Sequence, residues 1–261
     1  MNKADSLIGD LMHDDVISCQ TSTDQEEVAN IFRKYDFTAL PVVDKESRMV
    51  GIITVDDVMD IMTDETTEDM DKMAGILPSD KPYIKTGVFE TWKKRIPWLL
   101  LLMISATFTG KIITSFEAAL SKFVVLTAYI PMLMDTGGNA GAQASTEVVR
   151  AISLGDVTTK EYFKIVFKEM RVGLLCGLTL SLANFLKCIT FDGLTVNIAA
   201  VVCLTIICAV FLAKLVASTL VLLLTKFKLD PAVVASPMLT TIIDALSLLI
   251  YFSIATAILG I

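Results

Sequence analysis

One carboxylate stands in a segment that is otherwise strongly apolar. Asp244 is the only acidic residue among the last thirty. Thr240 lies four residues before it, and Ser247 and Tyr251 lie three and seven residues after it, so all four share one face of a helix. A charged group that faces lipid carries a large free-energy cost, so this face should lie inside a helix bundle or against water. A structural carboxylate bonded across helices and an ion-handling carboxylate are both open at this point.

A second polar cluster lies between residues 131 and 143, where one proline and three glycines interrupt an apolar segment. Asp135, Asn139, Gln143 and Thr146 share one helical face. Proline and glycine weaken helices, so the run predicts a break or a kink whose freed carbonyls line a wet cavity. Carbonyl, amide and carboxylate oxygens are the donors that suit Mg²⁺. Close helix packing at the glycines is the alternative explanation.

A third group of carboxylates lies in the N-terminal part, within a run of sixteen residues. Its eight members are Asp56, Asp57, Asp60, Asp64, Glu65, Glu68, Asp69 and Asp71. Asp60, Asp64 and Glu68 fall on one helical face, where like charges repel unless water or cations screen them. A solvated helix face and a site screened by divalent cations are the two interpretations.

The elements that carry these clusters divide into an acidic half and an apolar half. Of the 261 residues 54% are hydrophobic; residues 1–90 hold 20 acidic against 8 basic side chains, whereas residues 91–261 hold 9 against 14. This contrast predicts a soluble module joined to a membrane module. The acidity of the first part argues against nucleic-acid binding. A single histidine and five cysteines without a CxxC pair argue against zinc and haem.

Five segments are apolar and long enough to cross a bilayer as helices, namely residues 96–116, 123–141, 172–191, 194–225 and 231–261. With the N-terminal part inside, ten basic residues flank the spans on the inner side and three on the outer side. The sequence therefore predicts a multi-pass protein of the cell membrane with a cytoplasmic N-terminal domain and an extracytoplasmic C-terminus. The absence of a signal peptide at Met1 agrees with this orientation. Lys214 interrupts the fourth segment.

The N-terminal part alternates between helix and strand. Residues 24–35 and 55–73 are predicted to be helical, and residues 39–44 and 49–54 are predicted to be buried, β-branched strands. Thr23 and Glu26 have the spacing of a capping box for the first helix. A module of about 70 residues has a small core, so burial against a second copy is expected.

The order of these segments resembles a CBS domain, specifically the second of a tandem pair. The resemblance is carried by Met12 with Val16 and Ile17, by the run YDFTALPVVD at residues 35–44, and by GIITVDD at residues 51–57. It implies that Thr54 and Asp57 hold the ribose of an adenine nucleotide such as ATP. Nucleotide binding and dimerisation without a nucleotide remain the alternatives.

The full pattern resembles the MgtE family of magnesium channels and transporters. Pro131 with TGGNAGAQ at residues 136–143, KEMRVGLLCGL at 168–178, DPAVVASP at 230–237 and TTIID at 240–244 carry this resemblance. It implies a pore in which the Asp244 carboxylate selects hydrated Mg²⁺, with Asn139 and the main chain near Asp135 and Thr240 beside it. It also implies that regulatory Mg²⁺, which closes the pore, binds at Asp60, Glu65 and Asp69.

The predicted fold class is an α-helical membrane protein with five transmembrane helices, an N-terminal α/β CBS domain and an acidic connecting helix. The predicted domains are the CBS domain at residues 1–55, a plug-like connecting helix and linker at 56–90, and a pore domain at 91–261. The N-terminal helical domain and the first CBS motif, which family members commonly carry, are not found in this sequence. Asp135 stands where the family commonly has glycine.

The predicted function is a homodimeric Mg²⁺ channel in a lipid bilayer. A carrier that couples Mg²⁺ to Na⁺ or H⁺ is the alternative, and the sequence does not separate the two. A membrane-tethered nucleotide sensor is a third class, but such an anchor has no need of the Asp244 carboxylate. An enzyme is not expected, because the sequence has no nucleophile and base pair and no phosphate-binding glycine loop.

Overall fold

The computed structural model describes residues 15–79, 81–233 and 237–260. Met12 of the CBS motif and residues 234–236 of the late motif lie outside these ranges. The chain forms two compact units, Met1–Thr67 and Glu68–Ile261, and each is described by itself.

The first unit is built on a small mixed sheet. Strand β1 (Cys19–Gln20) pairs in parallel with β2 (Ala39–Val43), and β2 pairs antiparallel with β3 (Met49–Thr54). Helix α1 (Gln25–Tyr35) connects β1 to β2, and helix α2 (Val55–Met73) follows β3. The predictions of β3 and α2 are confirmed to the residue, and β2 ends one residue earlier than predicted.

The core of the first unit forms where α1 packs on the sheet. Leu40 of β2 is fully buried, and Val28 and Phe32 of α1 lie against it together with Val58 of α2. These apolar residues of α1 recur at helical spacing, so burial of one face stabilises the helix.

The predicted capping box at the start of α1 is wrong. Asp24 is the N-cap, and its carboxylate accepts a hydrogen bond from the backbone N–H of Glu26 at 2.9 Å. The hydroxyl of Thr23 instead accepts from the backbone N–H of Gln20 at 3.0 Å. The Thr23 hydroxyl is therefore bonded within the turn after β1, and Asp24, the next residue, caps the helix instead.

The prediction that both strands are buried is wrong for β3. Met49, Val50 and Ile52 are exposed over 64%, 58% and 56% of their surface. In the described sheet β3 pairs only with β2, so it is an edge strand. Its apolar composition reflects a surface that this unit alone does not cover.

The second unit is helical. Its helices are α3 (Val88–Ser115), α4 (Glu117–Lys122), α5 (Ile130–Ser153), α6 (Tyr162–Thr190), α7 (Val196–Lys226) and α8 (Pro237–Leu259). Short 3-10 turns occur at Tyr83–Lys85, Val124–Tyr129, Thr159–Glu161 and Pro231–Val233. The described helix α7 packs against α5, α6 and α8, and its buried residues form the largest part of the core.

Within the described residues, four helices are long and apolar enough to cross a membrane: α3, α6 with its preceding turn, α7 and α8. Four of the five predicted spans correspond to these helices, although α3 and α6 begin eight and ten residues earlier than predicted. The predicted span at residues 123–141 is not a single helix. It consists of the turn Val124–Tyr129 and the first half of α5, whose polar residues lower its hydropathy.

The predicted break at the glycines is wrong, because α5 is continuous from Ile130 to Ser153. Pro131 lies in the first turn, where a missing N–H leaves no helical bond unmade. A methyl group at Gly141 would lie 2.0 Å from Cδ1 of Ile243, so this glycine faces α8. The alternative explanation, close packing of helices at small residues, is confirmed.

Helices α6 and α7 also approach closely at a glycine. A methyl group at Gly177 of α6 would lie 3.0 Å from the Cα atom and 3.2 Å from the carbonyl oxygen of Ile207 on α7. These are backbone atoms, which cannot rotate out of the way. The separation of the two helices is therefore set by the missing side chain.

We predict that Gly177→Ala destabilises the α6–α7 pair by about 1–3 kcal/mol, because the new methyl group overpacks against backbone. Thermal unfolding in detergent should show a lower midpoint. Gly110→Ala on α3 is the matched control, since no described atom lies within 4 Å of the added group. Equal midpoints for the two variants would contradict this account of the packing.

Candidate functional site

The carboxylate of Asp244 lies at the contact between α8 and α5. A methyl group at Gly138 would stand 3.5 Å from Oδ1 of Asp244 and 3.6 Å from Cβ of Thr240. Gly138 is buried and Asp244 is half-buried. The hydroxyl of Thr240 donates to the carbonyl of Pro237 at 2.7 Å, in the first turn of α8. Gly138 thus allows both polar side chains of α8 to lie close to α5.

Asp135 and Asn139 lie one turn apart on α5, on either side of Gly138 in sequence. Both are exposed in the single chain, and the carboxylate of Asp135 lies within electrostatic range of Asp244. The four predicted pore residues therefore occupy one region in two sets. Thr240 and Asp244 contact α5, whereas Asp135 and Asn139 lie on its exposed face.

The exposed face of α5 borders a groove. Its lining includes Asp135, Asn139 and Gln143 from α5, Cys176 from α6 and Lys214 from α7. Carboxylate and amide oxygens on one side of the groove provide hard donors of the kind that bind hydrated Mg²⁺.

The polar face predicted for α8 is only partly a site. Tyr251 is fully buried, and its hydroxyl donates to the carbonyl of Leu126 at 2.9 Å. The Ser247 hydroxyl is buried and has no hydrogen-bond partner among the described residues. These two residues support packing, so the candidate site is limited to Thr240 and Asp244 at the start of α8.

The acidic helix α2 does not gather its carboxylates. Asp60 is exposed, whereas Glu65 accepts a hydrogen bond from Nε2 of Gln25 at 2.5 Å. Asp60 and Asp69 are nine residues apart, about two and a half helical turns, and so lie on opposite faces. In the described part of the chain, no three acidic, cysteine or histidine side chains form a metal-binding group.

Thr54 and Asp57, the residues matched to a ribose site, bond to each other. Oδ2 of Asp57 accepts from the hydroxyl of Thr54 at 2.6 Å and from its backbone N–H at 3.2 Å. The Thr54 hydroxyl and backbone N–H lower the pKa of the Asp57 carboxyl. Asp57 thus bonds back to the residue that precedes α2, and it is exposed, so its carboxylate can also accept a ligand hydroxyl.

An ion pair not predicted from the sequence ties the end of α2 to the segment before α8. Nζ of Lys72 lies 2.6 Å from Asp230 and 2.5 Å from Glu68. Burial lowers the pKa of Lys72, but its bonds to Asp230 and Glu68 outweigh burial and raise it. Lys72 is the only base between residues 49 and 80, a signal that could have drawn attention to it.

A second unpredicted cluster fixes the start of α5. The Tyr129 hydroxyl donates to the Asp192 carboxylate, and Nζ of Lys187 donates to the same carboxylate at 2.9 Å. Nζ of Lys187 also lies 5.3 Å from the centre of the Tyr129 ring. The bonds from Lys187 and Tyr129 lower the pKa of Asp192. No local motif signals this cluster, because Tyr129 is far from Asp192 in sequence.

The architecture defines an integral membrane protein with an α/β module at its N-terminal side. Residues 130–254 match the family model of MgtE, described as a divalent cation transporter, and residues 8–64 match the CBS domain. Residues 130–254 therefore form a domain of the MgtE type, and residues 8–64 match a CBS domain. Both resemblances found in the sequence are confirmed, and the matched family is one of transporters rather than enzymes.

Similar proteins are found in three bacteria. The chain is 40% identical over 252 residues to a magnesium transporter MgtE of Thermus thermophilus, 35% over 258 residues to that of Bacillus subtilis, and 32% over 256 residues to that of Enterococcus faecalis. The aligned residues are 97–98% of this chain and 56% of each relative. The chain thus spans about half the length of these relatives.

The contact between Gly137 and α8 provides a test of the site's packing. A methyl group at Gly137 would lie 2.6 Å from Oγ of Ser247 and 3.2 Å from Cγ2 of Ile243. We predict that Gly137→Ala lowers the thermal midpoint, with a cost of about 1–3 kcal/mol. Adding Ser247→Ala should restore most of the loss, because it removes the nearest obstructing atom.

Ser247→Ala alone is the control for this experiment. It should change stability little, since the hydroxyl has no described partner. A double variant as unstable as Gly137→Ala would show that α5 and α8 do not meet at this pair.

Proposed function

We propose that this chain is a Mg²⁺ channel whose pore lies between two copies of the membrane half. One observation supports this most: Asp244 and Thr240 meet α5 at Gly138, and the adjoining face of α5 presents Asp135 and Asn139. The names of the relatives, magnesium transporters, support Mg²⁺ as the transported ion.

The donor set suits Mg²⁺ that keeps most of its water. Mg²⁺ dehydrates reluctantly and is usually bound through one or two carboxylates with several waters. Asp244 supplies a charge that attracts the ion, while Asn139 and Thr240 offer neutral oxygens. Asp135 adds a second carboxylate within range, and a cation between the two would relieve their mutual repulsion.

The residues that one chain leaves uncovered support a homodimer. Asp135, Asn139, Gln143 and Thr146 are exposed on α5, and polar side chains at membrane depth are costly against lipid. A second copy related by a two-fold axis would face these residues with their equivalents and enclose a pore. The exposed apolar edge strand β3 of the first unit offers a second surface for the same partner.

In this proposal α5 also crosses the membrane, as the second of five spans in chain order. Its 24 residues correspond to about 36 Å of helix, enough to cross the hydrocarbon core. Its polar face would line the pore, which accounts for its low hydropathy. An odd number of spans would put the N-terminal domain and the C-terminus on opposite sides of the membrane. The ten-to-three distribution of basic residues supports a cytoplasmic N-terminal domain and an extracytoplasmic C-terminus.

We assign the functional domains as the CBS domain at residues 1–55, the connecting helix and linker at 56–90, and the pore domain at 91–261. Regulatory Mg²⁺ would bind as separate ions at Asp60, Glu65 and Asp69, since Asp60 and Asp69 lie on opposite faces of α2, and would reduce the repulsion along the helix. An adenine nucleotide would bind at Thr54 and Asp57.

The Lys72–Asp230 ion pair would transmit a shift of the end of α2 to α8, which carries Asp244. This pair joins the last turn of α2 to the segment that precedes α8.

We predict that Asp244→Asn and Asp244→Ala both abolish Mg²⁺ flux into liposomes, because neutral oxygens alone do not offset the ion's lost hydration. The Asn variant keeps the size of the side chain and should remain a folded dimer by light scattering. Asp156→Asn, in an exposed position of the α5–α6 connection, is the matched control and should conduct like the parent.

Conduction by Asp244→Asn at the parental rate would overturn the pore assignment. Flux that depends on a Na⁺ or H⁺ gradient would identify a coupled carrier instead of a channel. Imposing each gradient in turn on the parent protein separates these mechanisms.

We predict that Mg²⁺ protects residues 56–73 from proteolysis in the parent, and that the combined variant Asp60→Asn, Glu65→Gln and Asp69→Asn loses this protection. Each change removes a carboxylate that the cation would screen. Asp24→Asn, which removes an acid of the first unit outside α2, shows the effect of losing one negative charge elsewhere. Equal protection of parent and triple variant would leave α2 as a solvated acidic helix.

A further inference from the structure

A buried ion pair lies between α6 and α7, inside the membrane half. Nζ of Lys214 is 3.6 Å from Oε2 of Glu169, and the two residues are 4% and 6% exposed. At this distance the interaction is electrostatic and is not a normal hydrogen bond. A pair with so little access to water interacts strongly, and each charge depends on the other for compensation.

The helices are shaped to accommodate this pair. Gly173 lies one turn after Glu169 on α6, and a methyl group there would stand 3.3 Å from Cδ of Lys214. It would also stand 3.3 Å from Cα of Phe211. The missing side chain of Gly173 leaves space for the aliphatic part of Lys214 to run along α6 toward Glu169.

The two partners border different openings. Lys214 lines the groove that contains Asp135, Asn139 and Cys176. Glu169 lines a separate cleft near the ends of α5 and α6, together with Glu147, Asp156, Lys164 and Lys168. Lys214 is thus the one basic residue among the described residues that line the groove.

Stability alone is a weak reason for such a pair, because well-packed apolar residues of similar size are often as stabilising or more so. An uncompensated Lys214, by contrast, would repel a divalent cation from the groove. We propose that Glu169 compensates the charge of Lys214, so that the pair sets the electrostatic potential of the groove and its preference for cations. This inference rests on the proposed function, since it assigns the groove to the ion pathway.

Cys176 allows the potential to be measured without transport, because its half-buried thiol lines the same groove. The full chain in detergent is treated with a positively or a negatively charged methanethiosulfonate reagent, and modification of Cys176 is followed by mass spectrometry. Glu169→Gln should lower the ratio of positive to negative reagent rates by about tenfold, since it leaves a positive charge uncompensated. Lys214→Met should raise the ratio.

The double variant Glu169→Gln with Lys214→Met should return the ratio to within about twofold of the parent, because neither charge remains. A merely structural role would change both rates together and would shift the two single variants in the same direction. That result would overturn the proposal. A Cys176 that neither reagent modifies would also overturn it, since the groove would then be closed to water.

Mg²⁺ flux separates this inference from the proposed function. In liposomes the Mg²⁺ concentration for half-maximal flux should rise in Glu169→Gln, fall in Lys214→Met and return to the parental value in the double variant. A parent that conducts no Mg²⁺ refutes the proposed function. If the parent conducts Mg²⁺ but the variants leave the reagent ratio unchanged, only the role of the pair is refuted.

Discussion

The membrane half depends on how closely α8 can approach α5. Three glycines on one face of α5 leave room for this contact: Gly137 faces Ser247, Gly138 faces Asp244 and Thr240, and Gly141 faces Ile243. Helices in a membrane gain little from hydrophobic burial against one another, so van der Waals packing at small residues determines which faces meet. The same contact therefore provides packing and positions the carboxylate.

Features that depend on neighbouring residues could be predicted from the sequence, whereas features that depend on contacts between distant segments could not. Local patterns predicted β3, α2 and four apolar helices, because each depends on residues close together in sequence. The glycines of α5 were wrongly expected to break the helix, since helix propensity describes an isolated segment and ignores a neighbour at packing distance. The composition of β3 indicated burial, but in the described chain the strand lies at the edge of the sheet and is exposed.

The same division between local and long-range features applies to the candidate site residues. Asp244, Thr240, Asp135 and Asn139 could be selected because polar groups in apolar segments are costly and carry information. Their arrangement in two sets could not be predicted, since it depends on which face of α5 meets α8. The pairs Lys72–Asp230 and Lys214–Glu169 join residues 158 and 45 positions apart, and no local rule connects them. Lys214 was visible in the sequence only as an interruption of an apolar segment.

The cluster of Tyr129, Asp192 and Lys187 gives α5 the mechanics of a lever. It holds the helix at Ile130, while Ser153, the other end, is about 35 Å away at 1.5 Å per residue. Gly138 is only about 12 Å from the held end, or roughly one third of the lever arm. A tilt about this pivot moves Gly138 by one third of the displacement at Ser153. A tilt of α5 would therefore displace Ser153 about three times as far as Gly138, where the helix meets Asp244.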